Sequence, residues 1–132
     1  MRGTAIALLA CLLAGVTSPA FATGEIVCSA EDVSVDLLVG RLEVLSIVRA
    51  VVTIGDETWS TEPDIVPGTP IAVGQAFEAD GVLLVDLTDD AVNEVLGRLR
   101  AFSATEGDSS VTGGVFTFKD KGAFVVDCSE RG

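Results

Sequence analysis

The sequence predicts an α+β domain dominated by strands: a mainly antiparallel sheet of about seven strands, with one amphipathic helix packed on it and a disulfide joining its two ends. Three observations point there. Apolar and polar residues alternate through several runs, which is the period of a half-buried strand. Turn signals such as Gly55-Asp56 and Asp80-Gly81 separate those runs at hairpin spacing. One segment, residues 89–102, instead carries its apolar residues at helical spacing.

The chain opens with Arg2, runs apolar from Ala5 to Val16 and reaches Pro19-Ala20-Phe21-Ala22. A charged start, a short apolar stretch and a small-residue cleavage site are the anatomy of a secretory signal peptide. Cleavage is expected after Ala22, leaving residues 23–132 as one small globular domain in the periplasm or outside the cell. The apolar run falls short of the about 20 residues that a membrane span needs. No stable span is therefore expected after cleavage. Cys11 leaves with the signal, so Cys28 and Cys128 remain, one near each end of the domain. Two cysteines in an oxidising compartment are expected to pair. Their bridge closes a loop on the order of 100 residues, for which chain entropy gives about 4–5 kcal/mol.

Residues 24–29, with Ile26 and Val27 beside Cys28, read as an edge strand. Residues 32–39 alternate, with Val33, Val35 and Leu37 on one side and Ser34 and Asp36 on the other. Gly40-Arg41 reads as a tight connection. Residues 42–54 carry the strongest strand signal, with Leu42, Val44, Val48, Ala50, Val52 and Ile54 on the face expected to be core. A turn at residues 54–57 leads to a return strand at 58–61. Pro63, Pro67, Gly68 and Pro70 mark residues 62–70 as a loop. Residues 71–78 and 82–87 form a hairpin through Asp80-Gly81.

Thr88 can cap a helix over residues 89–102. Asp89 and Asp90 stand where the helix dipole favours negative charge, and Arg98 and Arg100 where it favours positive charge. Val92, Val95, Leu96, Leu99 and Phe102 form its apolar stripe. Residues 105–114 are polar and glycine-rich, hence a mobile loop. A last hairpin joins residues 115–118 to 123–128 through Lys119-Asp120-Lys121-Gly122.

Composition excludes several chemistries. The chain has no histidine and no tyrosine. Ser-His-Asp and Cys-His sites, histidine metal sites and phenolic acid–base work are therefore out. No phosphate-binding glycine loop or nucleophile-elbow motif occurs. The formal net charge is −12. Such a surface repels nucleic acid and suits a basic protein or envelope component. Asp86, Asp89 and Asp90 could offer oxygen ligands to calcium, the one cofactor considered, although a favourable helix start is the preferred reading of them. Arg49 could meet a ligand carboxylate, and Trp59 could anchor a binding patch. The expectation is an acidic exported module that binds a partner and is not an enzyme. The alternative is a small hydrolase using paired carboxylates, or a calcium-dependent protein.

Overall fold

A computed structural model describes residues 22–132. The predicted signal peptide lies outside the described residues, apart from Ala22 at the start of the first strand. Nine strands follow in chain order: β1 (Ala22–Ala30), β2 (Val33–Arg41), β3 (Leu45–Ile54), β4 (Glu57–Ser60), β5 (Thr69–Ala79), β6 (Val82–Asp89), β7 (Val95–Glu106), β8 (Ser109–Phe118) and β9 (Gly122–Arg131). Each pairs with the next, and β9 pairs with β1, so the sheet closes into a barrel.

Antiparallel neighbours alternate in direction, so a ring built only from them needs an even number of strands. The odd number here works because β4 and β5 run parallel, pairing Trp59 with Thr69 and Ser60 with Pro70. The proline loop between them carries the chain back to the end it had left. Its start stays tied to β3, since Thr61 N–H donates to Ala50 O at 3.0 Å and Ala50 N–H donates to Thr61 Oγ1 at 3.0 Å. The closing seam is the antiparallel pair β1–β9, in which Cys28 lies directly opposite Cys128. The two are joined by the expected disulfide.

The α+β expectation is overturned: among the described residues there is no helix, and the segment predicted to be one is a loop followed by β7. Gly97, Leu99 and Ala101 face the interior, while Arg98 and Phe102 face out. Of the supposed helical stripe only Leu99 is fully buried, and Val92 and Phe102 are exposed. Residues 97–102 pair with β6 on one side and β8 on the other, and that tertiary context overrides the local helical pattern. The expected helix-start chemistry serves the loop instead: Asp89 Oδ1 accepts from Asn93 N–H at 2.7 Å and Glu94 N–H at 2.9 Å. Thr88 caps nothing; it is buried in β6 and donates to Asp89 O at 2.8 Å.

Two further expectations change. The predicted mobile loop at 105–114 is the tip of the β7–β8 hairpin, paired out to Glu106 and Ser109. β3 starts at Leu45, and an irregularity opposite Leu38 and Val39 leaves Val48 out of register. Ala50 and Val52 are core as expected, but Leu45 and Ile47 take the inner side below the bulge, and Leu42 and Val44 are 72% and 77% exposed.

The interior is packed with apolar side chains, among them Val35, Leu37, Val52, Val85, Leu87, Leu99, Phe116 and Val126. Alternation along most strands puts these inside and most charged residues outside, as a closed sheet requires.

Candidate functional site

The two ends of the barrel differ. At the base lie the turns after β1, β3 and β8 and the loop after β6. Trp59 and Phe118 plug this end, their ring centroids 4.5 Å apart, and Phe116 stands 6.1 Å from Phe118. Lys121 Nζ sits 5.6 Å from the Trp59 ring centroid and pairs with Glu57 at 2.6 Å. Lys119 pairs with Glu94 across the same end, and that contact holds the ammonium pKa above its ordinary value.

At the opposite end the barrel is open. A cavity of about 380 Å³ lies among the β5–β6 turn, the β7–β8 hairpin, the end of β9 and the start of β1. Ile26 and Leu83 supply apolar lining, and Ser103, Thr112, Glu78, Asp80 and Glu130 supply polar groups.

The opening has a local cause. The β8–β9 ladder stops at Gly113–Asp127, although β8 continues back to Ser109 and β9 runs on to Arg131. Gly114 lies so close to β7 that a Cβ there would stand 1.9 Å from Arg100 O. A Cβ on Gly113 would stand 3.0 Å from Val126 O. Only glycine allows so close an approach at Gly114, and beyond Gly113 the hairpin continues without pairing to β9. Its mouth-facing side is lined by hydroxyls: Ser103 Oγ lies 2.7 Å from Thr112 Oγ1, and Thr105 Oγ1 donates to Ser110 Oγ at 3.1 Å.

Arg41 spans the rim. Its Nε and Nη2 donate to the two oxygens of Glu78 at 2.7 and 2.8 Å, and Nη1 donates to Glu130. One guanidinium thus ties β2 to β5 and β9. The tie matters because β4 is too short to fill the wall between β3 and β5 at this end. The bond from Arg41 is the largest influence on Glu78 and holds its carboxyl below its ordinary pKa, while Glu78 and Glu130 raise that of Arg41.

The residues singled out from sequence do not converge here. Trp59 is core at the base and 7% exposed. Arg49 lies on β3 opposite Leu38, on the outer wall. Its charge offsets part of the rise in the Asp36 pKa, which burial causes first and Glu25 second. Asp86 lies on β6 and accepts from Arg100 Nη2 at 2.8 Å; Asp89 organises the β6–β7 loop; Asp90 is exposed. Among the described residues no three His, Cys, Asp or Glu side chains are grouped as metal ligands. As a group, Arg41, Glu78 and Glu130 were missed in the sequence. The signal was there: the inward series Val35, Leu37, Val39 continues to Arg41, a cation in a core-facing register.

Compared with protein-family models, curated proteins and solved structures, the chain matches none of them.

Proposed function

We propose that this protein is an exported, non-enzymatic binding module that holds a basic partner at the mouth of its barrel. The observation that carries the reading is the cavity of about 380 Å³ at that end, apolar at Ile26 and Leu83 and edged by Glu78, Asp80 and Glu130. Barrel mouths are recurrent binding places, because the wall is rigid and the loops and hairpins around it are free to vary. The net charge of −12 favours a cationic partner and makes the association sensitive to salt. The absence of histidine and tyrosine from the sequence supports binding over catalysis.

The test is capture from envelope extracts with immobilised protein, run beside a Ser103→Trp variant whose indole fills the mouth. The expected result is a partner retained at low salt, released at high salt and lost by the variant. Equal capture by the variant would show that the mouth is not the binding place.

A further inference from the structure

The fork between β8 and β9 leaves two strand edges facing each other, each unpaired on that side among the described residues. Their free groups follow from the register. Glu106 and Ser109 flank the two-residue turn of the β7–β8 hairpin, so they form a hydrogen-bonded pair, and the pattern alternates from there. Ser110 and Thr112 therefore direct their backbone N–H and C=O groups away from β7, toward β9. On the other bank, Val126 and Phe124 pair with Gly114 and Phe116 of β8, so the same alternation turns Cys128 and Glu130 toward β8. The ladder that would join these groups ends one rung earlier, at Gly113–Asp127. Backbone groups left in this way form a template for another strand.

We infer that the partner is bound by strand addition: an extended peptide segment lies in the fork and pairs with the β8 edge at Ser110 and Thr112. The inference rests on the mouth being the binding place and names the form its occupant takes. Side chains of an added strand alternate between the two faces. Those turned inward meet Ile26 and Leu83 in the cavity. Those turned outward lie among Asp127 of β9 and Glu106 and Asp108 of the hairpin tip, on a chain of net charge −12. The segment that fits alternates apolar and basic residues. Main-chain hydrogen bonds hold it, and the alternate side chains select it.

The probe is a capped peptide of about six residues, alternating valine and lysine, titrated into the purified protein. It is compared with the same sequence N-methylated along its backbone, and with one carrying glutamate for lysine. Amide resonances and hydrogen exchange are the readout. The valine–lysine peptide should slow exchange at the Ser110 and Thr112 amides by about tenfold or more, and N-methylation should weaken binding by about tenfold. The glutamate peptide should not bind. Equal binding of the N-methylated peptide would overturn strand addition, because charge alone would then account for the affinity. Resonance shifts at Ile26, Leu83 and Ser103 without slowed exchange would also overturn it, yet would leave the mouth as the binding place. No change at either set of residues would remove both.

Discussion

Removing the cross-link at the barrel seam should cost more than any single core truncation. The perturbation is the double substitution Cys28→Ala with Cys128→Ala, since a serine at the fully buried Cys28 would add an unpaired hydroxyl. The bridge joins residues 100 apart. Chain entropy for a loop of that length gives about 4.7 kcal/mol, and the missing sulfur atoms add about 1 kcal/mol of lost packing. A domain of this size is stable by about 5–15 kcal/mol, so the loss consumes a large part of the total. At roughly 4 °C per kcal/mol, the melting temperature should fall by about 20 °C. Urea unfolding followed by Trp59 fluorescence measures it directly, because Trp59 is buried against Phe118 in the folded protein. The m-value should rise as well, since an open unfolded chain exposes more surface than a looped one. A loss below about 1 kcal/mol would refute the reasoning: the β1–β9 ladder would then hold the seam alone, and the loop would not restrict the unfolded state.

Arg41→Met removes the guanidinium shared by Glu78 and Glu130 and leaves two carboxylates at the rim. A loss of about 1–2 kcal/mol in urea unfolding is expected, above the usual surface pair because one contact is bidentate. Glu78 has a folded pKa below its ordinary 4.5, so its contribution is present above that value and is lost as pH falls through the folded pKa. Wild type should therefore lose more stability than Arg41→Met on acidification below pH 4.5, read from melting temperatures of both. Asp36 has the opposite sign. Burial raises its pKa, so it opposes folding once pH rises through that value, and Asp36→Asn should gain on wild type there and match it in acid. Leu99→Ala should cost about 2–5 kcal/mol by calorimetry, as expected for a leucine buried in a closed core.

Most of the strands were legible in the sequence, but β7 reads there as a helix that does not form, for a reason visible in its residues. Leu99 belongs both to a helical stripe with Val92, Val95, Leu96 and Phe102 and to a strand alternation with Gly97 and Ala101. Small inward residues hide the second pattern, because Gly97 and Ala101 contribute little hydrophobicity. They are small because the site is crowded: a Cβ on Gly97 would come within 3.1 Å of the Phe118 ring. Val48 shows the other limit. A bulge shifts the side chains by one position, so a strand read as strictly alternating assigns Leu42 and Val44 to a core they never reach. The disulfide was readable because cysteine counting needs no geometry. The rim ion pairs were not, since Arg41, Glu78 and Glu130 are far apart in sequence and meet only when the barrel closes.

Three places bear on how the barrel closes. One is the β1–β9 seam, which joins the two ends of the described chain. Another is the gap above the short β4. The last is the fork between β8 and β9. The first carries the Cys28–Cys128 bridge and the second carries the Arg41–Glu78 latch, so each is fastened by a contact stronger than a ladder rung. Among the described residues nothing fastens the fork, although Glu130, a partner of Arg41, stands on its β9 bank. Its opening has a basis in the sequence, because a Cβ on Gly114 would stand 1.9 Å from Arg100 O and one on Gly113 would press on Val126 O at 3.0 Å, where the two strands part. A sequence that only needed a closed barrel could have continued the ladder through Thr112 and Cys128. With the seam and the latch holding the rest of the rim, an edge can stay unpaired at the fork without loosening the wall around it, and that is the condition under which an incoming strand meets a preformed site.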